Sequence, residues 1–181
     1  PIPVIGNGDL LTHYEVADRR AASGCAGVML ARGALIKPWL FREVVEQSTW
    51  QPTAEERLSI YRRLCGYMKE HFGEDERGEQ RVMRFLPWHF DFFCRYRPLP
   101  ASEWQEASRE HPLIQTRIPA PAGGSTLDAV LADPRPEMHA ELAAALWASC
   151  SDEDAVERCL RIAAERPPEV GDAADIATAH G

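Results

Sequence analysis

Two short glycine-bearing turns carry the residues best suited to chemistry. The first is Gly6-Asn7-Gly8-Asp9 and the second is Ala31-Arg32-Gly33-Ala34. Glycine has no Cβ, so main-chain N–H groups at Gly8 and Gly33 can approach an anion closely. Arg32 adds a permanent charge with a planar fork of donors. A helix starting directly after such a turn aims its positive end at the same anion. The pattern suits a phosphate group. Gly-Asn-Gly-Asp alone is ordinary turn chemistry, and a plain pair of structural turns is the alternative; two turns one helix apart, the second with Arg-Gly, favour phosphate.

The neighbouring residues say what must position these turns. Val4-Ile5 and Val28-Met29-Leu30 are continuous apolar runs, the pattern of strands in a parallel sheet covered on both faces. Between them, Leu11 to Gly24 is long enough for one helix. Thr12 with Glu15 forms a capping-box pattern at its start, and Gly24 is a natural stop. Pro38 fits the first turn of a further helix ending near Gln47, with Trp39, Leu40, Val44 and Val45 packed inward and Lys37 in solvent. Strand, turn, helix, repeated, is the grammar of a (β/α) barrel, whose last two loops often build a phosphate site.

A complete barrel needs about 250 residues, whereas this chain has 181 and opens on a strand at Pro1. The expected fold class is α/β plus α: the last two β/α units of a TIM (β/α)8 barrel over 1–47, a linker at 48–52, and a C-terminal helical bundle domain over 53–166. A disordered tail is expected over 167–181. A small αβ domain folding alone is the alternative, disfavoured because two parallel strands cannot satisfy their edges.

The net charge is −8, which on its face argues against nucleic acid. The distribution matters more. Residues 57–97 carry 9 basic and 6 acidic groups, whereas residues 98–181 carry 6 and 15. The basic excess is therefore local. Five cysteines, Cys25, Cys65, Cys94, Cys150 and Cys159, show no metal-ligand spacing, and the six histidines are scattered. No metal site and no catalytic residue is assigned; reduced intracellular thiols are the expectation. No membrane span is visible.

Thr53 with Glu56 starts a helix whose stripe Leu58, Tyr61, Leu64, Cys65, Met68 and Phe72 reads as bundle core, ended by Gly73. Arg77, Arg81 and Arg84 then fall at i, i+4 and i+7 beside Phe85, Phe90 and Phe93, with Pro87 expected to interrupt or kink the helix. Arginines beside aromatics suit an RNA backbone and exposed bases. A salt-bridged face, using Glu74, Asp75, Glu76 and Glu79, is the alternative. His111 to Gly124 reads as a loop, and helices are expected near 126–132, 136–149 and 152–165.

The runs Ile5-Gly6-Asn7-Gly8-Asp9-Leu10, Gly24 to Ala34, and Lys37-Pro38-Trp39-Leu40-Phe41 together resemble the end of the catalytic barrel of the FMN-dependent tRNA-dihydrouridine synthases. The resemblance implies that Asn7, Gly8, Asp9, Ala31 and Arg32 hold the FMN phosphate. Arg84-Phe85-Leu86 followed by Cys94-Arg95-Tyr96 resembles the eukaryotic branch acting on the variable-loop uridine, although Pro87-Trp88-His89 departs from it and the likeness fades beyond Pro98. In that family the helical domain grips tRNA, which puts forward Arg77, Arg81, Arg84 and Arg95 as RNA contacts. The implied activity is reduction of a tRNA uridine to 5,6-dihydrouridine with FMN and NADPH. The family's cysteine acid lies on an earlier strand, so none of the five cysteines inherits it and the fragment alone is expected to be inactive. The implied partners are tRNA, with mRNA a second candidate, and no membrane. A monomer in the cytoplasm is expected, with the nucleus as a second compartment. The rivals are another FMN- or phosphate-binding barrel oxidoreductase and a non-catalytic RNA-binding remnant.

Overall fold

The computed structural model describes residues 2–118 and 123–169. Their contacts form two units, one of residues 2–51 and 96–118, the other of residues 52–95 and 123–169.

In the first unit, strands β1 (Ile5–Asn7) and β2 (Gly27–Met29) pair in parallel, with Ile5 opposite Gly27 and Asn7 opposite Met29. Helix α1 (His13–Ser23) connects them. It starts where the Thr12 hydroxyl accepts the Glu15 N–H and stops at Gly24, whose φ of 66° lies in the left-handed region. Only half of the capping box forms. The buried Glu15 carboxylate instead accepts from the Leu11 N–H at 3.0 Å, the Thr12 hydroxyl at 2.8 Å and the Leu113 N–H at 2.9 Å.

After β2 come two short helices, α2 (Arg32–Ile36) and α3 (Leu40–Glu46). Pro38 precedes α3 rather than lying in its first turn. The inward residues are Ile36, Trp39, Leu40 and Glu43, spaced for one helical face. That spacing turns Val45 outward, 82% exposed, which corrects the inward packing expected of it. Lys37 is also corrected: it is buried, its Nζ 2.5 Å from Glu43 Oε2. Burial pulls the Lys37 ammonium below its ordinary value, and the Glu43 charge opposes that pull.

Residues 96–118, within the span expected for the helical domain (53–166), pack in this unit. They contain an unanticipated helix, α6 (Ala101–Glu110), and a 3-10 turn at Leu113–Gln115. Leu99, Leu113, Ile114 and Ile118 are buried here. The Tyr14 hydroxyl donates to the Leu99 carbonyl at 3.3 Å, and Arg109 pairs with Asp18 at 3.1 Å. The strands are not covered on both faces: Val4 is 66%, Ile5 59% and Met29 55% exposed.

The second unit holds α4 (Ala54–Phe72), α5 (Glu76–Phe93), α7 (Thr126–Leu131), α8 (Pro136–Ala148) and α9 (Asp152–Glu165). Complete capping boxes start α4 at Thr53/Glu56 and α7 at Ser125/Asp128. The core is Leu58, Tyr61, Cys65, Val82, Leu86, Phe90, Phe93, Met138 and Leu142. Tyr61 stacks on Phe90 with centroids 4.4 Å apart. Helix α5 runs unbroken through Pro87. A proline φ is compatible with a helix, and what is lost is one N–H and its bond to the preceding turn. The tail expected over 167–181 lies, from residue 170 onward, outside the described residues.

A carboxylate closes this unit. Asp133, fully buried, accepts from the Arg135 N–H at 2.9 Å, Arg135 Nη2 at 2.6 Å and the Glu169 N–H at 2.9 Å. Burial alone would raise its pKa, but these hydrogen bonds and the Arg135 charge bring it below its ordinary value of 3.8. Its contribution is therefore present above that value and lost as pH falls through the depressed folded value. Asp133→Asn is expected to cost about 1.5–3 kcal/mol near pH 7, and the gap between variant and parent should narrow in acid. Urea midpoints taken across that pH range measure both.

Gly78 and Gly66 make opposite cases. A Cβ on Gly78 would lie 2.0 Å from the Gly73 carbonyl oxygen, whereas one on Gly66, inside α4, would meet nothing within 4 Å. Gly78→Ala should destabilise by about 1–3 kcal/mol and Gly66→Ala should stabilise by about 0.4–1 kcal/mol, both read from denaturant titrations.

Candidate functional site

The two glycine turns meet through backbone. A Cβ on Gly33 would lie 2.0 Å from the Leu10 carbonyl oxygen, so only glycine lets the second turn sit against the first. The chain leaves β1 through Gly8, at φ 138°, and Asp9, at φ 21°. The first of these demands glycine. Arg32 opens α2, and the first N–H groups of that helix have no intrahelical acceptor.

Side chains then lock the pair. Arg32 Nη2 lies 2.5 Å from Asp9 Oδ1, and Gln115 Nε2 donates to the other Asp9 oxygen. Burial would raise the Asp9 carboxyl, yet the hydrogen bonds from Gln115 and Arg32 and the Arg32 charge hold it below the ordinary value. A free carboxylate here would repel a phosphate, but this one is bound from two sides. Arg32 remains 41% exposed with further donors to offer.

All five residues named for the phosphate come together. Asn7, Gly8, Asp9, Ala31 and Arg32 line one cavity of about 120 Å³, with Gly33 and Ile114 at its walls. A cavity of about 360 Å³ adjoins the same first turn and is lined also by Arg19, Ser23 and Cys25. The donor set fits a phosphate: backbone N–H groups at a helix start, a guanidinium and no unbalanced anion. Gln115 was not among the residues read from sequence. It lies 106 positions from Asp9 in a stretch of loop composition, and nothing in its neighbours marks it.

The arginines expected to meet RNA divide. Arg77, Arg81 and Arg84 on α5 are exposed, and among the described residues none has a carboxylate within 4.0 Å. The nearby acids are otherwise engaged: Asp75 accepts the Gly78 N–H at 2.9 Å, and Glu76 accepts from Gln80 at 3.4 Å. The salt-bridged alternative is thus not the arrangement adopted. Arg95 differs. It is 8% exposed, paired with Asp91 at 2.7 Å and set over the Phe92 ring, so it is not presented to a ligand with the other three. Arg57 is likewise buried, 2.5 Å from Asp128. Part of the basic excess of 57–97 is therefore internal.

Among the described residues no cluster of His, Cys, Asp and Glu could hold a metal, and no helix is long and apolar enough to cross a membrane. His139 is buried, its Nε2 donating to the Asp133 carbonyl at 2.8 Å, a packing role.

The family model for dihydrouridine synthase matches residues 1–115. A Homo sapiens protein named tRNA-dihydrouridine(47) synthase (NAD(P)(+))-like is 46% identical over 99 residues, 55% of this chain and 15% of its own length. A Mus musculus protein of the same name is 42% identical over 132 residues, 73% of this chain and 20% of its own. The Coprinopsis cinerea tRNA-dihydrouridine(47) synthase is 37% identical over 134 residues, 74% and 19% respectively. The chain thus spans about a fifth or less of the length of these relatives. No solved structure matches it. The match takes in both glycine turns, the helix between them and the returning segment as far as Gln115, and by that match the chain belongs to the dihydrouridine synthase family.

Proposed function

We propose that this chain supplies the flavin-phosphate turns and the RNA-contacting helices of a tRNA-dihydrouridine synthase. The reaction is reduction of uridine 47 of tRNA, the position in the relatives' names, to 5,6-dihydrouridine, with FMN as cofactor and NADPH as reductant. On this reading residues 2–51 contain the last two β/α units of a TIM barrel, and the chain corresponds to the C-terminal part of the longer relatives.

The observation that carries the proposal is the convergence of Asn7, Gly8, Asp9, Ala31 and Arg32 on one small cavity. When bound, FMN supplies the hydride chemistry that no side chain provides. This chain's residues do the holding. Arg32 and the N–H groups at the start of α2 take the phosphate oxygens, while Asp9 and Gln115 fix the angle of the guanidinium. The exposed apolar strand residues Val4, Ile5 and Met29 are what further barrel strands would cover. No cysteine here is given the role of proton donor. Burial pushes the Cys65 thiol up and the Cys159 thiol up to about 12, away from proton transfer near neutrality.

Two measurements test this. Mapping dihydrouridine in tRNA from cells with and without the gene should show loss at uridine 47 alone; a modification that persists without the gene removes the proposed activity. In the intact synthase, Arg32→Ala should weaken FMN binding by on the order of tenfold to a hundredfold, the value of a charged hydrogen bond. Flavin absorbance per polypeptide after dialysis reads this, and unchanged occupancy would take Arg32 out of the phosphate site.

A further inference from the structure

The arginine stripe on α5 runs into aromatic surface that the phosphate and core readings leave without a role. An α-helix turns about 100° per residue, so Arg77, Arg81, Arg84, Phe85 and Trp88 share an arc of roughly 100° on α5. Trp88 falls near the middle of that arc. It is 45% exposed, and Phe85 is 38% exposed. Their ring centroids are 5.5 Å apart. Trp88 is braced edge-on by the buried Phe92 ring at 5.2 Å, which limits the orientations it can adopt.

A single exposed apolar residue needs no explanation. Two adjoining aromatic rings among three exposed arginines that have no ion pair among the described residues do. Aromatic residues and arginine are also enriched at protein interfaces, but three cations around two rings match the alternation of phosphate and base along an RNA strand more closely. The chemistry of the patch is that of a nucleotide, a π-face beside a phosphate. Arg81 and Arg84 precede Phe85 and Trp88 by four residues each on one side of α5, and the Arg81 guanidinium lies over the Phe72 ring, 5.6 Å from its centroid. Overall the chain carries −8, so a locally positive face is what favours the approach of a polyanion.

We propose that Trp88 and Phe85 form a stacking platform for an unpaired base of RNA, with Arg81 and Arg84 holding the phosphates beside it. This rests on the RNA-binding reading above and narrows it. The stripe engages RNA where a base is free to stack, not duplex in general. Stacking on one aromatic side chain contributes enough that its removal weakens binding roughly fivefold to a hundredfold.

The test compares two RNAs on the full chain, an unstructured oligo-uridine and a blunt duplex without unpaired bases, by fluorescence anisotropy across a salt series. Trp88→Ala should weaken oligo-uridine binding by roughly fivefold to a hundredfold and leave duplex binding unchanged. Trp88→Phe should retain most of the oligo-uridine affinity, and Phe85→Ala should act in the same direction as Trp88→Ala. Arg81→Ala with Arg84→Ala should weaken both RNAs and flatten the salt slope for the single strand by about 1.4, or about 0.7 per contact. If the arginine variant weakens RNA but Trp88→Ala and Phe85→Ala do not, the platform is overturned while RNA binding stands. If the parent chain binds neither RNA, both readings fall together. The helical circular dichroism of each variant checks that α5 is retained.

Discussion

The contact between residue 33 and the Leu10 carbonyl leaves no room for a side chain, and much of the N-terminal unit follows from it. With glycine there, the turn after β2 lies against the turn after β1. Only at that separation can Arg32 reach Asp9, and only then do the two turns line one cavity. Glu15 fixes the other side of the same turn through Leu11, Thr12 and Leu113. The cavity is walled by backbone as well as by Arg32 and Asp9. A displacement of one turn would open the whole cavity.

What could be read from the sequence was what local chemistry determines. Thr53/Glu56 and Ser125/Asp128 are complete capping boxes, and α8 and α9 begin at the expected residues, Pro136 and Asp152. The residues that line the small cavity stood out because glycine and arginine at that spacing mark tight turns. Long-range contacts were not legible. Lys37 looks like a solvent lysine until α3 brings Glu43 to it. Glu15 looks like a capping residue until residues 96–118 return and offer the Leu113 N–H. Helix α6 had local signals, with Pro100 before it and Ala, Glu and Gln through it, so that omission was one of weighting rather than of information.

Charge shows the same division between local and distant. Counting arginines over 57–97 gives a basic segment, but Arg57 and Arg95 spend their charge on Asp128 and Asp91 inside the fold. Outside, Arg77, Arg81 and Arg84 share one side of α5 next to aromatic rings, while Arg63 is exposed on α4. A protein of net negative charge can thus still present a locally positive strip.

Residues 96–118 belong with 2–51, and residues 123–169 belong with 52–95, so the two units alternate along the chain. During synthesis neither can finish when its first part is made. Residues 2–51 must wait for 118, which at about 5–20 residues per second is a delay of several seconds. Throughout that interval the Glu15 carboxylate lacks its Leu113 partner and the Asp9 carboxylate lacks Gln115. The cavity is therefore a late product of the nascent chain, completed by residues that emerge long after the turns themselves.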